Sequence, residues 1–176
     1  MELRALRLED EAEATAAHAE LAAEGFAFLP FLEPGEPWAE YLPRVERLSR
    51  GEGLPAGYVP MTDVYGVVDG AIVGRVSVRH RLTDALLLFG GHIGYGVRKA
   101  HRRRGYGTAL LRAGLAIAHD LGIERALVTC GADNTASVAL IERCGGVLED
   151  VRPAPDGRPT RRYWVPTGDR GSHQAF

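Results

Sequence analysis

The chain has 176 residues with a formal net charge of −2, 45 % hydrophobic and 25 % charged residues, proportions of a soluble globular protein able to bury a core. That balance argues against a general attraction to nucleic acid or to anionic membranes. No run of about 18 apolar residues offers a membrane span, and the start Met1-Glu2-Leu3-Arg4 followed by Glu9-Asp10-Glu11 lacks a signal-peptide core, so the expected setting is the cytoplasm. Cys130 and Cys144 lie outside any C-x-x-C pattern and read as buried thiols, with no metal expected.

In chain order, Glu2 to Leu8 alternates polar and apolar residues as a half-buried first strand does. Asp10 is placed to cap an Ala- and Glu-rich helix to about Glu24, with Gly25 as its stop. Phe26 to Leu32 is apolar and broken by Pro30, a packed loop or one wall of a cleft; Trp38 to Arg50 forms a second helix despite Pro43. Asp63–Val68 and Ala71–Val78 flank Asp69-Gly70, the signal for a tight hairpin. A loop follows Arg79-His80-Arg81-Leu82, and His92–Val97 is a fourth strand with glycine at 94 and 96, where close backbone approach is the reason to accept a weak strand residue.

The next stretch carries the chemistry. Arg102-Arg103-Arg104-Gly105-Tyr106-Gly107 fits R-x-x-G-x-G between that strand and a helix from about Thr108 to Gly122. Glycines let a backbone approach an anion, and the first helical turn offers unpaired N–H groups with partial positive charge. Arg98, Lys99 and the three arginines strengthen the field, so the segment reads as a diphosphate cradle; the plain alternative is a glycine turn with solvated arginines. A buried strand at 124–130, a helix capped at Asp133-Asn134 and stopped by Gly145-Gly146, and strands at 147–151 and 160–165 complete the chain. The order βααβββαβαββ argues a mixed α/β fold with helices on both sheet faces. Residues 1–166 are expected to form one domain and 167–176 a disordered tail.

With strand, basic loop and helix in place, the chain resembles the GNAT superfamily of N-acetyltransferases, in particular a bacterial branch of predicted acetyltransferases. The resemblance is carried by Gly91 to Arg98, Leu127-Val128-Thr129-Cys130, Asn134 with Ser137, Gly145-Gly146, and Arg162-Tyr163-Trp164-Val165. It implies a mostly antiparallel sheet splayed between strands 4 and 5, with acetyl-CoA as cosubstrate in the opening. Arg102, Arg103, Arg104, Gly105, Tyr106, Gly107 and Thr108 would hold the diphosphate, Tyr95, Gly96 and Val97 would line the pantetheine, and Asn134 and Ser137 would contact its thiol end. Ile141 stands where many members carry the tyrosine that protonates the thiolate, which leaves Ser137, a water or unassisted departure.

For the acceptor, His92 is the first candidate general base and His80 the second; Glu149 and Asp150 either attract a cationic amine or form a solvated edge. Phe28, Phe31, Trp38 and Tyr41 either shape the acceptor cleft or pack in the core. The expected activity is transfer of an acetyl group to the primary amine of a small molecule or peptide, by a monomer or homodimer that uses neither nucleic acid nor membrane. The alternative is an acyl-CoA-binding sensor or interaction module without turnover.

Overall fold

The computed structural model describes residues 1–168. Seven strands form one sheet in the order β1-β2-β3-β4-β5-β7-β6, with β1 Glu2–Arg4, β2 Met61–Val68, β3 Ala71–Arg79, β4 Ile93–Val97, β5 Arg125–Gly131, β6 Val147–Pro153 and β7 Pro159–Pro166. The helices are α1 Glu11–Ala22, α2 Trp38–Ser49, α3 Asp84–Leu88, α4 Tyr106–Asp120 and α5 Thr135–Arg143. All strand pairs are antiparallel except β4 with β5, which run parallel and share the single register pair Ile93↔Val128. The mixed, mostly antiparallel sheet that separates after β4 is the expected one. None of the described helices is long and apolar enough to cross a membrane.

Each sheet face has its own core. α4 and α5 bury Leu110, Leu111 and Ile141 against Val76, Ile93, Val128 and Tyr163. α1, α2 and the segment between them bury Ala14, Leu21, Phe28, Trp38 and Tyr41 against Tyr65, Val67 and Ile72. A leucine-sized side chain buried this way contributes about 1.5–3 kcal/mol. Gly114 lets α4 lie close to the sheet: a Cβ there would come within 2.8 Å of Val76 Cγ2.

Several boundaries differ from the sequence expectation. β1 ends at Arg4, because Asp10 accepts hydrogen bonds from the Arg4 guanidinium at 2.6 and 2.9 Å and from the Arg7 N–H at 2.7 Å. This folds 5–10 into a turn, and Asp10 makes no side-chain cap on α1. The expected loop after β3 contains α3, whose first turn is capped by the Thr83 hydroxyl accepting from Leu86 N–H. Helix α4 begins two residues earlier than expected, so Tyr106 and Gly107 already belong to its first turn. Of the expected tail, 167–176, the Thr167 hydroxyl donates to the Ile123 carbonyl and its N–H to that of Glu124, and residues 169–176 lie outside the described residues.

Candidate active site

Where β4 and β5 part, one strand edge is left open. Arg98 N–H donates to Val73 O and Arg79 N–H to His92 O, so even-numbered residues of β4 bond to β3. By the two-residue alternation of an antiparallel ladder, the backbone groups of Tyr95 and Val97 point toward the gap. The Val97 carbonyl there accepts from Arg102 Nε at 2.9 Å.

The loop after β4 presents a row of free donors. Arg103 takes a left-handed φ of 65° and Gly105 one of 84°, which turns the chain sharply into α4. Among the described residues, no protein acceptor is found for the N–H groups of 103 to 108, whereas Ala109 N–H resumes normal helix bonding to Gly105 O. Consecutive free N–H groups at the start of a 15-residue helix form an anion-binding concavity with the helix dipole behind it. Gly107 is needed for packing as well: a Cβ there would come within 2.9 Å of Leu140 Cδ1.

The basic side chains are divided. Arg98 pairs with Glu13 and Glu20 of α1, both at 2.9 Å, and Lys99 N–H donates to Glu20 at 2.7 Å. Arg102 pairs with Glu24. Arg98 and Arg102 are thus largely neutralised and tie the loop to α1 and the turn after it, so Lys99, Arg103 and Arg104, all exposed, are left to meet a ligand charge. The local field is thus weaker than five cations imply, and the backbone donors matter more.

Across the gap, the Asn134 side chain accepts from Ser137 N–H at 3.1 Å and caps α5 as expected. Tyr95 projects onto the α4–α5 face, where it packs near Cys130 and Cys144. Its hydroxyl is buried and makes no hydrogen bond of normal geometry; burial pushes the phenol pKa up to about 12, opposed by the polar Ser137 side chain close beside it. Ile141 is 0 % exposed, filling core where a tyrosine was the pattern. Burial raises both thiols above their ordinary pKa, in keeping with packing roles.

On the opposite face, His92 is 7 % exposed and fastens β4 to β5. Its ring Nδ1 accepts from Leu127 N–H at 2.9 Å, and its backbone N–H donates to Leu127 O at 2.7 Å. The neutral ring therefore carries its proton on Nε2, with no free lone pair to receive another. Burial and Arg79 also lower its pKa. His80 lies at the far end of β3, 2.8 Å from the Thr62 hydroxyl. Glu149, exposed, and Asp150, half-buried, both pair with Arg162, 3 % exposed, at 2.6 and 3.3 Å.

Phe28, Trp38 and Tyr41 are core, while Phe31 packs on Tyr58 with ring centroids 5.0 Å apart. Phe26, in the segment between α1 and α2, covers Gly96 and lies under the Arg75 guanidinium at 5.1 Å. No sequence motif marks that contact.

The Acetyltransferase (GNAT) family model matches residues 17–146. No curated protein sequence matches the chain. Among solved structures, a putative acetyltransferase from Salmonella typhimurium with its cofactor acetyl-CoA aligns with TM-score 0.63 at 17 % identity, covering 99 % of this chain and 98 % of its own. A ribosomal-protein-alanine N-acetyltransferase from Brucella melitensis aligns at 0.63 and 16 %, over 94 % and 99 % of the two chains. A spermidine N-acetyltransferase mutant from Vibrio cholerae gives 0.61 and 15 %, over 95 % of each.

Proposed function

We propose, for a chain that belongs to the GNAT family of acetyltransferases, that it moves an acetyl group from acetyl-CoA to a primary amine by direct attack within a ternary complex. The observation that carries this reading is the run of free N–H groups at 103–108 opening α4 beside the unpaired edge of β4. A diphosphate fits those donors, with Arg103 and Arg104 adding charge. An extended pantetheine arm fits the gap-facing backbone groups of Tyr95 and the Val97 N–H as an added strand, the Val97 carbonyl being held by Arg102. Asn134 and Ser137 stand at the other wall.

Amide formation makes a C–N bond and breaks the C–S bond, so the amine must lose a proton and the thiolate gain one. An alkylammonium with pKa about 10.4 is neutral in only about one part in 10³–10⁴ at pH 7, roughly 4–5 kcal/mol of barrier. His92 was the expected base. With Nδ1 held by Leu127 N–H, we assign it instead to keeping β4 and β5 joined below the gap, and give deprotonation to water. Holding amine and thioester together supplies up to about 7–11 kcal/mol at the limit of ideal orientation. The developing oxyanion is met by a β4 backbone N–H near Val97.

Ile141 has no proton for the sulfur. The Tyr95 phenol takes that part in our reading, with Ser137 beside it, because it is protonated at neutral pH and its hydroxyl lacks a partner. The reaction is tested by free-thiol release from acetyl-CoA over a panel of amino acids, polyamines, simple amines and peptides. Amine-dependent release supports transfer; acetyl-CoA binding with no release across the panel supports the sensor reading instead.

A further inference from the structure

The face of the sheet away from α4 and α5 carries a charge that the transfer chemistry does not use. Arg75, Ser77 and Arg79 alternate onto this face from β3, with Asp63 beside them on β2 and the side-chain-free Gly94 and Gly96 on β4. Arg75 is 6 % exposed, and its Nη1 lies 3.4 Å from Asp63 Oδ1 without a hydrogen bond. Both of those atoms, and Arg75 Nε, are buried with no partner. Arg79 donates Nη1 to the carbonyls of Gly90 and Gly91, each at 3.2 Å, and among the described residues it forms no ion pair with a carboxylate.

Two guanidinium groups thus share one carboxylate in a region largely removed from water. Their neighbours register the excess. Beyond the effect of burial, Arg75 lowers the pKa of His18 and of Arg79, and Arg79 lowers that of His92. The histidines stay neutral and supply no counter-charge. Farther along the face, Arg162 is already balanced by Glu149 and Asp150. A partly desolvated cation without a counter-ion gains most from an anion that arrives with the ligand.

There is room for that anion. A Cβ built on Gly94 would find a single atom within 4 Å, Arg79 Nη1 at 3.8 Å. Gly94 follows Ile93, the β4 residue paired with β5, and precedes Tyr95 at the open gap, so this space adjoins the place where acetyl transfer would occur.

We propose that the acceptor is a primary amine bearing a compact anion close to the amine, of the amino-carboxylate kind, with the anion held by Arg79 above Gly94 and attracted by the buried charge of Arg75 behind it. The inference rests on the acetyl-transfer reading and narrows its substrate class. Polyamines, which bring only positive charge to this face, are disfavoured.

The test compares thiol release from acetyl-CoA with free α-amino acids, their carboxamides, the matching aminophosphonates, and spermidine, while acetyl-CoA affinity is measured separately by calorimetry. The expected result is a kcat/KM at least about 10-fold higher for anionic acceptors than for the carboxamides. This preference would run against intrinsic reactivity, since an amino amide is less basic and more of it is neutral at pH 7. The phosphonate arm tells a carboxylate site from a tetrahedral-anion site. Arg79→Gln should raise KM for the anionic acceptor about 10-fold or more and leave acetyl-CoA affinity unchanged; if that variant does not fold, the acceptor ratio of the unaltered protein decides. Carboxamides or spermidine turning over as well as the anionic acceptors overturn this inference and leave acetyl transfer standing. No release from any acceptor with acetyl-CoA bound overturns the transfer reading itself.

Discussion

Tyr95→Phe removes one oxygen from the wall of the gap and should move stability and turnover in opposite directions. The hydroxyl is buried with no hydrogen-bond partner, and an unsatisfied buried polar group costs about 1–3 kcal/mol. Phenylalanine keeps the ring that packs on the α4–α5 core, so the variant should be more stable by up to that amount. At roughly 2–4 °C per kcal/mol for a domain of this size, Tm should rise by about 2–12 °C. If the phenol protonates the departing thiolate, kcat should fall, by roughly 10–100-fold rather than the upper range for a lost acid, because a thiol of pKa about 8.5 leaves tolerably unaided. KM for acetyl-CoA should barely change, since the diphosphate donors lie at 103–108. Thermal unfolding and thiol-release kinetics on the same preparation read both effects. A lower Tm with unchanged kcat would refute the reasoning: the hydroxyl would then be a structural contact and the proton would come from elsewhere.

Other consequences follow from local geometry. Gly105→Val places a β-branched side chain at φ 84° and should weaken acetyl-CoA binding measured by calorimetry by 10-fold or more, whereas Arg102→Ala, whose guanidinium is engaged by Glu24 and Val97, should act less on affinity than on the tie to α1. Ile141→Tyr should cost about 1–3 kcal/mol in urea unfolding, because that side chain is fully buried in the α4–α5 core and its neighbours leave no space for a phenol. Burial depresses the pKa of His18, His80 and His92 below 6.5 in the folded protein. The unfolded chain therefore takes up these protons first as pH falls, and stability should be full above about pH 6.5 and decline below it. A second decline belongs below about pH 4.5, as Asp10, Glu20 and Glu36 lose the charges held down chiefly by hydrogen bonds from Arg4, Arg98 and Arg44. A urea midpoint that stays flat from pH 7 to 5 would contradict the histidine contribution.

What could be read in the sequence was local. Asp69-Gly70 specified the hairpin, and both residues take the positive φ, 50° and 82°, that its turn requires. Asn134 announced the start of α5, and R-x-x-G-x-G after a strand announced the cradle. Thr83-Asp84 before Ala85 to Leu88 carried the cap signal for α3, but a five-residue helix lacks the periodicity that would make it stand out.

The illegible part lies in pairings across long separations. Nothing near Arg98 shows that Glu13 and Glu20, 85 and 78 residues earlier, neutralise it. Nor does the sequence around His92 reveal the Leu127 N–H, 35 residues away, that occupies its Nδ1. The charge state of the acceptor face depends on β2, β3 and β4 lying side by side, so Arg75, Asp63 and Arg79 acquire meaning only from the register.

Amide hydrogen exchange of the full chain with and without acetyl-CoA tests the central claim most directly, because it reads the N–H groups that define the cradle. The account predicts that residues 103–108, unprotected in the free protein, become strongly protected on binding, with Tyr95 and Val97 protected alongside them. Saturable acetyl-CoA binding that leaves 103–108 exchanging freely would place the cosubstrate elsewhere and contradict the account.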